Sequence, residues 1–241
     1  MRYIWGLAFL SLLICWTAAA TSQSGEWIAI GQNAFAFHEE KFHELNFELE
    51  PPVTSDAEIL VELIGPPNVE KINALHVQIR RVAGLNNAAS LEANGYRTIA
   101  YDPDWAAGDT PGFYLVLGHE AGHLFCGHTP AQASTNRMQI ELESDQFGGA
   151  SIKRLEIYQN RSLFGQVFSA ALTKYPEQGS SIYPPRSLRL EALRSGYEQG
   201  SPCGNLAPVE QSGFYPGTRA NGPPTPCHPV RTGPTSYACE H

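Results

Sequence analysis

Positive charge is scarce in this chain: 16 of its 241 residues are Lys or Arg against 24 Asp or Glu, a formal net charge of −8. A surface that grips a phosphate backbone needs clustered positive charge, so nucleic acid is excluded as the main partner. Long apolar runs are scarce too. The one present, residues 3–16, follows Met1-Arg2 and leads into Thr17-Ala18-Ala19-Ala20. A charged start, a greasy middle and a small-residue exit describe a secretory signal peptide over residues 1–20, cut after Ala20. The run is shorter than the roughly 20 residues a spanning helix wants, and nothing later could span a bilayer, so no stable membrane span is expected after cleavage. Cysteine is sparse as well. Loss of the leader removes Cys15 and leaves Cys126, Cys203, Cys227 and Cys239, which can form disulfides in an exported chain. A secreted or periplasmic location follows.

What is present supports a single globular core. The hydrophobic fraction is 42%, and residues 21–200 carry the periodic segments. Residues 27–50, rich in Phe, His and Glu, settle into no single period and read as a mixed helical lead-in. Ser55 with Glu58 three residues later opens a helix carrying Ile59, Leu60, Leu63 and Ile64, closed by Gly65-Pro66-Pro67. Leu75, Val77 and Ile79 then alternate with polar neighbours. Asn94-Gly95 between residues 88–93 and 96–101 is a two-residue hairpin signal. Asp102-Pro103-Asp104 reads as a turn, and Thr110-Pro111 as the start of a helix reaching Gly127. Further helices are expected over 136–154 and 162–173, and around Leu188, Leu190, Leu193 and Tyr197. From residue 201 the composition shifts to a Pro/Gly-rich tail holding Cys203, Cys227 and Cys239. Three is an odd number, so one tail cysteine is expected to pair with Cys126, unless one thiol stays free or links two chains.

The chemistry concentrates in His119-Glu120-Ala121-Gly122-His123. Residues four apart share a helix face, so both imidazoles can address one tetrahedral zinc while Glu120 sits beside the open coordination position as a proton acceptor. A catalytic zinc usually takes a third protein ligand. His128 lies five residues after His123, and the metzincin spacing fails because Cys126 and Thr129 hold the positions that pattern assigns to Gly and His. Glu141 and Asp145 share a helical face, so one can bind metal while the other orients a ligand imidazole. Glu141 is the favoured third ligand, with Glu143, His128 and a site lacking a third protein ligand as alternatives. Other histidines take blander readings: His38 and His43 lie on an acidic solvated face, and His228 and His241 on the tail surface. Cys126 reads as a buried thiol or a disulfide partner, and Asn160-Arg161-Ser162 as a turn unless the host glycosylates.

His119-Glu120-x-x-His123, then Gly127-His128 and Glu141-x-x-Ser144-Asp145, resembles the gluzincin peptidases of the HtpX and CAAX-prenyl-protease type, nearest to their soluble, exported members. The match extends to Asn87-Ala88-Ala89, to Ile99-Ala100-Tyr101-Asp102-Pro103, and to Tyr183-Pro184 with Arg189, about residues 60–197 in all. The resemblance implies an α+β, zincin-like fold, mostly helical, with a small sheet whose edge hairpin flanks the active-site helix. It implies His119, His123 and Glu141 as Zn2+ ligands, Glu120 as general base and Asp145 behind a ligand. Ser144 replaces the usual Ala. Tyr183 stands where such proteins often carry a His, and its hydroxyl can donate to an oxyanion. The expected activity is zinc-dependent hydrolysis of peptide bonds in unfolded or flexible exported polypeptides, whose extended chain would dock on Ile99, Ala100 and Tyr101 by strand addition. Without membrane helices, prenylated-peptide processing is not supported. The alternative is a zinc-stabilised protease fold kept as a binding or chaperone module.

Overall fold

The computed structural model describes residues 37–38, 47–93, 95–128, 130–180, 183–201, 203, 228–231 and 237–240. The leader over 1–20, His43, Cys227 and His241 lie outside them. The architecture is α+β and mostly helical. Its sheet is built from β2 (Val77–Arg81), β3 (Ala88–Ala93) and β4 (Tyr96–Tyr101), with a two-residue β1 (Phe37–His38) added parallel to β3. The order is β1-β3-β4-β2. β3 and β4 form the expected antiparallel hairpin with Ala93 opposite Tyr96, and β2 lies parallel to β4. Phe37 and His38 were expected within a helical lead-in; they form a strand because they pair with Leu91 and Glu92.

Seven helices surround this sheet among the described residues: α1 (Thr54–Ile64), α2 (Val69–Ala74), α3 (Pro103–Gly108), α4 (Thr110–Phe125), α5 (Pro130–Gln159), α6 (Phe164–Lys174) and α7 (Arg186–Gln199). Three starts differ from expectation. α1 begins at Thr54, so Ser55 sits in its first turn and makes no cap bond. Asp102-Pro103-Asp104 launches the short α3, because the Asp102 carboxylate accepts from the amides of Asp104 and Trp105. α4 is capped by Asp109, which accepts from the Gly112 amide, and Thr110 is already helical. In α5 the backbone breaks at Asn136 (φ −144°, ψ 44°), the expected start, and the helix before it extends back to Pro130.

The period-2 pattern of the sheet splits the core. Ile79, Ile99 and Tyr101 join Leu60, Val61 and Ile64 of α1 and Phe113, Leu117 and Ala121 of α4 on one face. Ala89, Leu91 and Ala100 meet Val82, Leu85 and Phe47 on the other. A second helical cluster packs Leu115 of α4 against Ile152, Leu155, Val167 and Leu193. α4 therefore has apolar neighbours on opposite sides and is buried along most of its length, as expected of a helix apolar nearly all round. Asp56, 1% exposed, ties α1 to the sheet by accepting from Arg81 and from the Tyr101 hydroxyl.

Cys126, just past α4, is disulfide-bonded to Cys203, which identifies the tail partner. Closing a separation of 77 residues stabilises the fold by about 2 to 4 kcal/mol. The tail also holds an antiparallel ladder of β5 (His228–Arg231) and β6 (Tyr237–Glu240). These two stretches were expected to be irregular; they form a ladder because backbone pairing does not need an apolar core.

α5 and α7 cross at Gly196, where an added Cβ would lie 1.8 Å from the Gln146 carbonyl oxygen. Backbone meets backbone there and no side chain can yield. Gly196→Ala should therefore destabilise by about 3 kcal/mol or more, read as a lowered denaturant midpoint. The control Gly165→Ala, with nothing within 4 Å of the added carbon, should leave the midpoint unchanged or slightly raised.

Candidate metal centre

α4 places His119 and His123 one turn apart, and their Nε2 atoms approach to 3.1 Å. The crossing helix α5 brings Glu141 and Asp145, also one turn apart, onto the same side. Gly122 permits this approach, since a Cβ there would stand 2.8 Å from the Ser144 Cα. Glu141 Oε2 lies 3.3 Å from His119 Nε2, and Oε1 lies 3.9 Å from His123 Nε2. Arg97 of β4 donates to the Leu124 carbonyl and pins the last turn of α4 to the sheet.

Asp145, fully buried, holds His119 from behind. Its Oδ1 is 2.8 Å from His119 Nδ1 and accepts from the Tyr175 hydroxyl at 2.8 Å. Arg189 adds bonds of 2.7 Å to Oδ2 and 2.9 Å to Oδ1. A carboxylate only accepts, so His119 Nδ1 carries the proton. Behind His123, Nδ1 faces Ser144 Oγ at 3.0 Å and His128 Nδ1 at 3.1 Å, while His128 Nε2 meets Glu143 Oε2 at 3.0 Å. Reading the donors back from Glu143 makes His128 Nδ1 an acceptor for the His123 Nδ1 proton. With both rings neutral, as metal binding requires, the two Nε2 lone pairs converge with a carboxylate oxygen.

These three buried groups turn ligand atoms towards one point, and His119, His123 and Glu141 could hold a metal ion. Tetrahedral zinc with ligands at about 2.0 to 2.1 Å sets them about 3.3 Å apart. The 3.1 Å between the two Nε2 atoms and the 3.3 Å from Glu141 Oε2 to His119 Nε2 are close to that spacing, while Oε1 stands 3.9 Å from His123 Nε2. His128 and Glu143, the alternative third ligands, instead bond each other behind His123.

Burial works against a charged His119, but Asp145 and Glu141 outweigh it and raise the imidazole to about 10. Burial, with repulsion from His119 and His128, drives His123 well below the ordinary range. Asp145 is held down to about 2 because Arg189 and His119 overcome its desolvation. Glu120 points to β3, where its Oε2 accepts from the Ser90 amide at 2.9 Å and the Ser90 hydroxyl at 2.6 Å. Burial nevertheless lifts it to about 7, against the pull of His119 and these bonds. Tyr183 accepts from Arg137 at 2.9 Å. Its own acidity is suppressed chiefly by burial, then by Glu141.

These groups open on a cleft of about 390 Å³ bounded by Asn87, Glu120, Glu141, Tyr175 and Tyr183. The expected docking strand requires correction. β4 is paired on both sides, by β3 and β2, so Ile99, Ala100 and Tyr101 have no free backbone edge and are buried. The strand that meets the site is β3, through Ser90. Sequence reasoning also missed Ser90, Tyr175, Arg137 and the use of the Ser144 hydroxyl. Arg137, four residues before Glu141, was recoverable from helical spacing; Ser90 and Tyr175 come from other elements and carry no local signal.

Compared with known proteins, the chain matches no family model, and neither a curated protein nor a solved structure matches it significantly.

Asp145→Asn leaves Arg189 buried beside a neutral amide and replaces one of the two anionic oxygens shared by His119, Tyr175 and Arg189 with a donor. We expect metal affinity to fall about 10 to 100-fold in chelator competition; unchanged affinity would show that Asp145 does not orient the ligand. His119 is protonated at pH 8 when no metal is bound, because its value lies near 10. Metal uptake at that pH should therefore expel about one proton, measurable by calorimetry in two buffers of different ionisation enthalpy.

Proposed function

We propose that this chain is a zinc-dependent endopeptidase of the gluzincin type, acting on unfolded or flexible polypeptides outside the cytoplasm. The observation carrying this reading is Glu120: a buried carboxylate beside the ligand cluster, fixed by Ser90 and opening on the cleft. The ligand set, with two imidazoles and one carboxylate, is of the kind used by zinc peptidases. The two imidazole donors support that metal over harder cations, which prefer an all-oxygen shell.

His119, His123 and Glu141 would hold the zinc, which would supply Lewis-acid polarisation and lower the pKa of water towards neutrality. Glu120, with a pKa near 7 in the metal-free site, accepts the proton of the attacking water and returns it to the leaving amine. Tyr183 keeps its proton, since burial and Glu141 raise its pKa, and donates to the oxygen on which negative charge develops. Asp145, Arg189 and Tyr175 hold His119, while Ser144, His128 and Glu143 hold His123, so the ligands are set before substrate arrives. The cleft admits a chain segment stripped of its own tertiary packing. Among the described residues no helix is long and apolar enough to cross a membrane. The Cys126 bridge suits an oxidising compartment, in keeping with an exported enzyme.

Glu120→Gln should keep metal and fold, because Glu120 is not a ligand, yet lose hydrolysis of an unfolded protein such as reduced casein by about 100-fold or more. Equal cleavage by the variant would sink the catalytic assignment. Failure of both zinc-loaded proteins to cleave would favour the binding-module reading instead.

A further inference from the structure

Arg137 lies immediately after the break in α5 and touches two groups at once. Its Nε donates to Glu141 Oε1 at 2.8 Å, and its Nη2 donates to the Tyr183 hydroxyl at 2.9 Å. The guanidinium carbon stands 5.4 Å from the centroid of the Tyr183 ring. This is not a surface ion pair of negligible weight: the side chains of Arg137 and Glu141 are 13% and 3% exposed.

The two contacts divide the labour of their partners. A guanidinium has donors only. Its hold takes up a lone pair of Glu141 Oε1, which stands 3.9 Å from His123 Nε2, and leaves Oε2, 3.3 Å from His119 Nε2, as the nearer oxygen to the ligand cluster. On Tyr183 it occupies a lone pair of the hydroxyl oxygen, so the hydroxyl proton must point elsewhere. Tyr183 borders the cleft together with Glu120 and Glu141, and the cleft is where that proton can find an acceptor. Only a planar fork of fixed geometry meets both partners at once; an ammonium of equal charge would serve as a single point.

We propose that Arg137 is a positioning residue that restricts Glu141 to one metal-facing oxygen and turns the Tyr183 hydroxyl proton into the cleft. The inference rests on the metallopeptidase reading above and adds to it the group that couples a metal ligand to the oxyanion donor.

The test loads the full exported chain with Co2+ in place of zinc, because the visible absorption of cobalt reports coordination number independently of activity. Wild type should give the intense spectrum of a four-coordinate site. Arg137→Gln frees Oε1, so Glu141 can chelate through both oxygens; the spectrum should lose most of its intensity. Zinc affinity should fall about 10 to 100-fold. Arg137→Lys keeps the charge without the fork and should show the same loss; it decides the matter if Arg137→Gln does not fold. Tyr183→Phe should keep the wild-type spectrum and lower kcat with KM little changed. A wild-type spectrum in either folded Arg137 variant overturns the proposal while leaving the zinc reading intact. Wild-type protein that binds no cobalt overturns both.

Discussion

The carboxylate of Asp145 is the constraint on which the rest of the molecule depends. It is fully buried on α5 and receives His119 from α4, the Tyr175 hydroxyl from the end of α6, and both ends of the Arg189 fork from α7. An uncompensated ion in that position would cost several kcal/mol. Four elements must therefore arrive together before the charge is tolerable. Their arrival is also what builds the site: the group that orients His119 is the one that holds the helices in register. Arg189 stacks on Tyr175, with its guanidinium carbon 3.8 Å from the ring centroid, so little of this ion pair is left to water.

α4 carries a related double load. Its Phe113, Leu117 and Ala121 fill the core against the sheet, Leu115 fills the helical cluster, and the remaining arc presents His119, Glu120 and His123. Such a helix cannot shift to suit the site without disturbing two cores. Its ends are fixed as well, by the Asp109 cap at one end and by Arg97 and the Cys126–Cys203 bridge at the other. Rigidity of this kind is what a ligand set needs, since small displacements of donor atoms undo metal geometry.

This division of labour explains what could be read from the sequence. The paired histidines and the Glu141/Asp145 pair obey helical spacing, a local property, so their common orientation was legible before any fold was known. The hairpin followed from Asn94-Gly95, and the count of tail cysteines pointed to a bridge from Cys126. Strand order was not legible: residues 96–101 look like an edge strand in isolation, and only the parallel pairing with β2 buries them. Nor was the role of Ser90 or Tyr175, because each acts across a tertiary contact 30 residues distant in sequence. His128 and Glu143 were visible as candidate ligands, but chemistry at that level does not separate a ligand from the group bonded behind one. The direction of the side chain decides, and packing of α5 on α4 sets it.

The metal-free state shows why the cluster is poised for a cation. His119 and His123 bring two Nε2 atoms to 3.1 Å beside a carboxylate, where two protonated rings would repel and two unprotonated rings would leave their lone pairs facing one another. Their opposite shifts express the resolution: the proton sits with His119, whose neighbours Asp145 and Glu141 are anionic, and His123 is left neutral. One positive charge thus occupies the cluster at neutral pH without any metal. A divalent ion held there would replace that proton and satisfy the three ligand atoms at once.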